Sequence, residues 1–264
     1  MEELHLLRMV NELWARRALI NSLIRRTFVL RYRQSFGGVL WALVPSLGIL
    51  TAGSIVFDNG EAASNGTEPY LLLTMAALVP WSLFASSITF GVPSIVQAQP
   101  MVTRLPFPKA TLPIAAIGTS MIDLAISGML FIVLSFVLGD GLPLSALWFP
   151  VLIAVEMLMI AGILLLGSAM NVFAWDIKMI VPMATQFWLL VTPVMYPLEG
   201  VKDLRTLYLA NPMTGIVESS RRVLVYGQPP AFDLLLPTII GASVLFLFGM
   251  WYFSSVENRF ADVI

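Results

Sequence analysis

The residues able to do chemistry in this sequence are few. Its one histidine, His5, stands near the N-terminus, and it has no cysteine. A disulfide framework and a thiolate metal site are therefore excluded. No GxxxxGK[ST] loop to cradle a phosphate and no G-x-S-x-G nucleophile turn occurs. A catalytic centre within this chain is not expected. Three other constellations remain: a pair of buried-type acids, a stripe of hydroxyls and aromatics, and a basic, proline-rich turn.

The acids are Asp123 in "SMIDLAIS" and Glu156 in "AVEMLMIAG". Both fall mid-way along apolar runs. A charge at the centre of a bilayer costs about 2.5–3.5 kcal/mol on insertion scales. Two carboxyls at matched depth suit a proton relay or a polar pore lining. Each alone is better explained as a protonated carboxyl bonded to a hydroxyl or carbonyl of a neighbouring helix. No Lys or Arg lies at similar depth to pair with them.

The hydroxyl-aromatic stripe comprises Thr185, Trp188, Thr192 and Tyr196, which share one side at helical spacing. Trp81, Phe84 and Ile88 share another face upstream, opposite Ser82, Ala85, Ser86 and Thr89. Alternating hydroxyls and rings suit a sugar, whose apolar faces stack and whose hydroxyls exchange hydrogen bonds. A lipid-facing aromatic belt accounts for any one ring taken singly. It accounts less well for Thr185 and Thr192, which gain little from facing lipid.

The basic turn is "MVTRLPFPKATLP", Met101–Pro113. Proline pre-sets the backbone, so Phe107 between Pro106 and Pro108 is held as a peg, with Arg104 and Lys109 beside it. Two accounts compete: a rigid turn, or a stiff element that docks in a partner's groove. Only the second explains a Phe expected to be exposed.

These groups need elements to position them. Of 264 residues, 58% are hydrophobic and 12% charged, far from soluble usage. Several runs reach the roughly 20 apolar residues needed to cross a bilayer. The reading is an all-α integral membrane protein with spans at Phe36–Phe57, Tyr70–Ile95, Leu112–Leu138, Leu144–Phe173, Ile177–Pro197 and Phe232–Phe253. Residues 1–35 form an amphipathic segment, with Leu6, Val10, Leu13, Ile20, Ile24 and Phe28 on one face. It is expected to lie in the membrane interface. Arginines interrupt its apolar residues, so it is not expected to be a signal peptide. Residues 36–264 form the transmembrane domain.

Residues 1–35 hold seven arginines, and "DNGEAASNGTEP" holds three acids and no base. Basic flanks favour the cytoplasm, so both termini and the turn at 95–110 are placed inside. Residues 198–230 then lie outside, although they carry Lys202, Arg205, Arg221 and Arg222. "DLRTLYLA" and "MTGIVESSRRVLVYG" read as two short helices broken at Asn211–Pro212. They are expected to form a re-entrant hairpin over the outer mouth, with an amphipathic surface loop as the plainer alternative.

The sequence resembles the permease subunits of type-2 ABC exporters for polysaccharides and polyol phosphates, which include O-antigen, capsule and teichoic acid exporters. The resemblance covers nearly the whole chain. It rests on four blocks in order: "RYRQSFGGVLWALVPSL", "SIVQAQPMVTRLPFPKATLPI", "NVFAWDIKMIVPMATQFWLLVTPVMYP" and "NPMTGIVESSRRVL". The chain departs from the family at Val44-Pro45, where Gln-Pro is frequent, and at Trp175-Asp176, where Arg-Asp is frequent.

The resemblance implies a homodimer in the bacterial cytoplasmic (inner) membrane, each copy docked on a separate ATP-binding subunit that carries ATP and Mg. This chain itself would need no cofactor. It implies coupling contacts at Arg104, Leu105, Pro106, Phe107, Pro108 and Lys109, and a smaller contact at Asp176 and Lys178. It implies that Arg31, Tyr32 and Arg33 end the interface helix. Trp81, Phe84, Thr185, Trp188, Thr192 and Tyr196 become candidate channel lining. Tyr208, Asn211, Pro212, Arg221 and Arg222 become the outer gate. The implied cargo is a lipid-linked polysaccharide, O-antigen-like first and teichoic acid or another cell-wall glycan next, with no nucleic-acid partner.

Two other readings compete. A proton-coupled secondary exporter would use Asp123 and Glu156, but such folds usually show paired internal repeats, and none stands out here. A purely structural membrane protein leaves the basic turn and the hydroxyl-aromatic stripe unexplained.

Overall fold

A backbone inside lipid must satisfy its own N–H and C=O groups, which leaves helices and closed barrels as spanning structures. The computed structural model describes residues 17–32, 44, 47–51, 70–139, 141–195, 208 and 211–263. Among the described residues there is no strand, and helices take most of the chain.

Helix α1 is Arg17–Tyr32 and α2 is Tyr70–Gly91. Two short helices follow, α3 (Ser94–Gln97) and α4 (Gln99–Arg104), and then α5 (Thr111–Leu138). A 3-10 turn at Leu144–Trp148 leads into α6 (Phe149–Phe173). Next come α7 (Ile177–Val191), α8 (Pro212–Leu224) and α9 (Phe232–Val256). A 3-10 turn, Glu257–Arg259, ends in α10 (Phe260–Val263).

Four segments are long and apolar enough to cross a membrane: Tyr70–Gly91, Thr111–Leu138, Leu144–Phe173 and Phe232–Arg259. Their surfaces expose large apolar side chains such as Met129, Phe136, Val151, Leu236 and Val244, which water penalises and hydrocarbon does not. The first of these helices stops at Gly91 rather than Ile95, because Val92 and Pro93 form a turn and Pro93 lacks the N–H that the ladder needs.

The other two expected spans stand differently. Most of Phe36–Phe57 lies outside the described residues; within it, residues 47–51 are helical and Leu50 is buried. In Ile177–Pro197 the helix ends at Val191 after 15 residues. At 1.5 Å per residue that is about 22 Å, short of the roughly 30 Å hydrocarbon core. The stop has a local cause. Pro193 disfavours the helical region for the residue before it, and Thr192 is extended, with φ −93° and ψ 132°.

Close approaches through glycine set the packing. The most extensive contact is between α6 and α9. A Cβ on Gly249 would lie 2.2 Å from the Gly162 carbonyl oxygen, and one on Gly162 would lie 2.6 Å from the Leu245 carbonyl carbon. Small residues let membrane helices meet backbone to backbone in this way. Helix α2 packs on α5, and α1 crosses the start of α5. There Ile24 covers Gly118, whose Cβ would meet Ile24 Cδ1 at 2.3 Å. Leu23 is buried, with Leu19, Ile20 and Ile24 against the same cluster, while Arg17, Arg25 and Arg26 are exposed. Leu6, Val10 and Leu13 of the expected face lie outside the described residues.

Helix α8 is not a surface element. Met213, Ile216, Val217 and Val223 are wholly buried, and it packs against α9, α2 and α6. Gly215 presses on α9, where its Cβ would fall 2.7 Å from the Leu234 carbonyl oxygen. Thr238 donates to the Pro212 carbonyl at 3.1 Å. Of the hairpin's first expected helix only Tyr208 is described, and it is buried.

Candidate functional site

The end of the bundle that holds the 95–110 turn is built on α3, α4 and the start of α5. After Arg104 the chain leaves the helix, because Pro106 and Pro108 forbid its continuation. Thr111 then bonds the Pro108 carbonyl through both N–H (3.0 Å) and Oγ1 (2.8 Å), which starts α5. Arg104, Leu105 and Pro106 are exposed, Leu105 at 55%.

Phe107 differs from the expected exposed peg. It is half-buried and packs on the cluster of Leu23, Ile95, Val102, Phe253 and Phe260. Its ring gains more from that apolar seat than from water. The exposed apolar side chain of the turn is Leu105. Lys109 also turns inward: its Nζ donates to the Glu257 carbonyl at 2.7 Å and sits 5.6 Å from the centre of the Phe260 ring. Phe260 is fully buried and meets Phe253 and Phe173 edge-on. The turn is thereby tied to the ends of α6 and α9. Nothing in the spacing of Lys109 announced a partner 148 residues away.

Nearby, Asp176 precedes α7 and is exposed, and its backbone carbonyl accepts from Met179 N at 2.9 Å. Lys178 is exposed, with Nζ 5.3 Å from the centre of the Trp175 ring. Arg31 and Tyr32 fall in the last turn of α1; their side chains, and all of Arg33, lie outside the described residues.

Mid-bundle, the polar face of α2 is turned onto α5. Ser86 donates to Asp123 Oδ2 and pairs with Ser120 at 2.9 Å. Ser82 pairs with Ser127 at 2.7 Å, and Ser127 donates to the Asp123 backbone carbonyl at 2.8 Å. Ser120 and Ser127 were not singled out above, yet they flank Asp123 at i−3 and i+4, the spacing that puts residues on one helix face. Glu156 on α6 is fully buried. It approaches the Phe84 backbone, but neither carboxyl oxygen makes a hydrogen bond of normal geometry. Among the described residues no three His, Cys, Asp or Glu side chains cluster as a metal site.

The rings of the candidate lining meet inside the subunit. Trp81 and Phe84 are buried, with centroids 5.2 Å apart. Trp188 meets Phe84 edge-on at 5.0 Å. Thr185 is buried, its hydroxyl on the Val181 carbonyl at 2.8 Å. Tyr196 lies outside the described residues.

At the opposite end, Asn211 caps α8 by accepting from Met213 N at 3.1 Å. Its Oδ1 also accepts from Trp188 Nε1 at 3.0 Å, and its Nδ2 donates to Thr192 Oγ1 at 2.9 Å. Pro212 stands in the first turn of α8, where its missing N–H costs nothing. In the last turn Arg221 is 1% exposed. It donates to the Val194 carbonyl at 2.6 Å, the Leu73 carbonyl at 3.2 Å and Glu218 at 3.1 Å. Arg222 is half-buried, and its Nε makes no hydrogen bond.

Apolar helices with polar groups sealed between them, too exposed in their apolar surface for water, define a multi-pass integral membrane protein. The chain belongs to the ABC-2 type transporter family, whose profile matches residues 18–225. It is 28% identical over 263 residues to the O-antigen export system permease protein RfbA of Myxococcus xanthus, covering 98% of this chain and 100% of that one. It is 23% identical over 236 residues to a protein of the same name from Klebsiella pneumoniae, covering 89% and 90% of the two chains.

Proposed function

We propose that this chain is the membrane-spanning subunit of an ATP-driven exporter that moves a lipid-linked, O-antigen-like polysaccharide across the cytoplasmic membrane. The observation that carries this is its end-to-end similarity to an O-antigen export permease, in which nearly every part of each chain has a counterpart in the other. ATP and Mg belong to a separate ATPase subunit. The lack of a phosphate loop in this sequence agrees with that division of labour.

In this reading the chain has six spans with both termini in the cytoplasm, an interface helix ending near Arg31, Tyr32 and Arg33, and a gate over the outer mouth. Residues 95–110 transmit the ATPase stroke. Leu105 and Arg104 reach the partner, Phe107 and Lys109 pass the movement to α6 and α9, and Asp176 and Lys178 add a second contact. Two copies form the path. Helix α7 supports this: only Thr185 of its fifteen residues is buried, while Met179, Met183, Phe187 and Leu190 stand more than half exposed. In this reading Trp188, which is part-exposed, and Tyr196 border the path, while Trp81, Phe84, Thr185 and Thr192 are buried within the subunit and support its wall. Tyr208, Asn211, Pro212, Arg221 and Arg222 build the gate.

The proton-coupled alternative would draw on Asp123 and Glu156. Asp123 already has the serine hydroxyls of α2 and α5 around it, which supports a packing role. The test is deletion of the gene in its host. Surface polymer should vanish and return with the intact gene, and the chain should copurify with an ATPase whose hydrolysis the polymer stimulates. Undiminished surface polymer in the deletion strain would overturn the proposal.

A further inference from the structure

The end of α7 and the start of α8 are joined by a closed set of hydrogen bonds centred on Asn211. Trp188 Nε1 and Met213 N are donors only, and both point at one end of the Asn211 amide. That end must be the oxygen, and the nitrogen is left to face Thr192 Oγ1. Thr192 in turn donates to the Trp188 carbonyl at 2.8 Å. The bonds thus run in a ring from Trp188 through Asn211 and Thr192 back to Trp188.

The bonds divide into two kinds. The one to Met213 stays inside α8 and caps it. Those to Trp188 and Thr192 cross to another element. At the far end of α8, Arg221 makes charge-assisted bonds, which are roughly twice as strong as neutral ones. The start of α8 is held by neutral bonds alone: Thr238 ties Pro212 to α9, and Asn211 supplies the hydrogen bonds to Trp188 and Thr192.

We propose that Asn211 is the latch of the outer gate. Between substrates it holds the start of α8 on the end of α7 by occupying the Trp188 N–H and the Thr192 hydroxyl, and a passing glycan frees it by taking those same two groups. A sugar hydroxyl is both donor and acceptor, so it replaces both halves of the Asn211 amide. Asn211 keeps its bond to Met213 meanwhile, so α8 moves as an intact, capped helix. This rests on the reading that Trp188, which is part-exposed, borders a polysaccharide path; the Thr192 hydroxyl is buried beside it and is reached once the Trp188 bond has parted.

The test uses the intact permease–ATPase complex in liposomes, without polymer, and follows escape of a trapped, sucrose-sized fluorescent solute. Asn211→Ser keeps a good helix cap but is too short to bridge. Trp188→Phe keeps the ring on Phe84 and removes only the N–H. Trp188→Phe should raise the leak about fivefold, as expected for one hydrogen bond of ordinary strength, and Asn211→Ser should raise it further. Asn211→Asp, which keeps the oxygen for Trp188, should leak less than Asn211→Ser. Oligosaccharides released from the host's own surface polymer should raise the wild-type leak and leave that of Asn211→Ser unchanged. Wild-type tightness in both Asn211→Ser and Trp188→Phe overturns the latch, and Trp188→Phe decides alone if Asn211→Ser fails to fold. A wild-type leak indifferent to the oligosaccharides overturns the release step. The leak is read without polymer and the function reading rests on surface polymer in cells, so the two fail separately.

Discussion

Arg221 Nη2 donates to the Val194 carbonyl at 2.6 Å, a bond that joins the last turn of α8 to the segment just beyond α7. It gives a structural reason for an arginine in a segment expected to lie outside against the bias of charge. The guanidinium serves as a buried cross-link there, with Leu73 and Glu218 as its other partners.

Arg221→Met should therefore destabilise the subunit strongly, because two carbonyls and a carboxylate lose their donor in a dry site. The expected loss is on the order of 3 kcal/mol. Arg222→Met, one residue on, should cost less than about 1 kcal/mol, since Arg222 Nε bonds nothing. Thermal unfolding of the two variants in detergent reads the difference. Equal midpoints would contradict the cross-link.

Gly249→Val should abolish correct packing of α6 on α9, since the new Cβ would overlap the Gly162 carbonyl oxygen at 2.2 Å. Gly241→Ala on the same helix should be harmless, its nearest neighbour being Pro212 Cβ at 4.0 Å. Yield of monodisperse protein after extraction is the measurement, and normal recovery of Gly249→Val would count against the close crossing.

The basic turn separates into an outward and an inward part. Leu105→Ala should leave the unfolding midpoint unchanged and weaken the ATPase complex about tenfold, as for loss of an apolar anchor. Phe107→Ala should instead lower the midpoint, because its ring belongs to the subunit's own cluster. Lys109→Met, which frees the Glu257 carbonyl, should keep the complex but reduce the coupling of hydrolysis to export. Pull-down with the ATPase beside thermal unfolding distinguishes these, and the reverse pattern would reassign the docking tip to Phe107.

The two acids should tolerate neutral mimics. Asp123→Asn still accepts from Ser86, and Glu156→Gln puts no charge in a dry site. The double variant should export polymer within about twofold of wild type, while Trp188→Ala should impair export or open a leak. Surface polymer at matched expression is the readout. A dead amide pair beside an active Trp188→Ala would favour proton coupling.

The membrane sidedness is open to cysteine labelling, made clean by the absence of native cysteine. Exposed positions are the ones to use, because Ser219 in α8 is buried. Cysteines at Leu142 and Gln228 should react with an impermeant thiol reagent in intact cells, and those at Thr103 and Lys178 only after lysis. Any exchange between the pairs would redraw the topology.

Much of this architecture was legible in the residue order. Apolar runs of spanning length announce themselves, because lipid forces the helix and leaves little but length and composition to vary. Pro106 and Pro108 located the turn by removing donors that a helix needs. Asn211-Pro212 marked the start of α8, because a capping side chain followed by a residue without N–H is a local device.

What the chain could not declare from its own order is which way each face turns. Helical spacing collected Thr185, Trp188 and Thr192 on one side of α7, but the same stripe suits a path, a second subunit or a neighbouring helix. Folding decided that Trp188 and Thr192 meet Asn211, at separations of 23 and 19 residues. It likewise decided that Phe107 sits in a cluster rather than in water, and that Arg221 is buried on carbonyls far along the chain. Local sequence determines the helix, because its hydrogen bonds close within four residues. The burial of a polar or aromatic face depends on which distant helix arrives opposite it, and only the packed bundle supplies that partner.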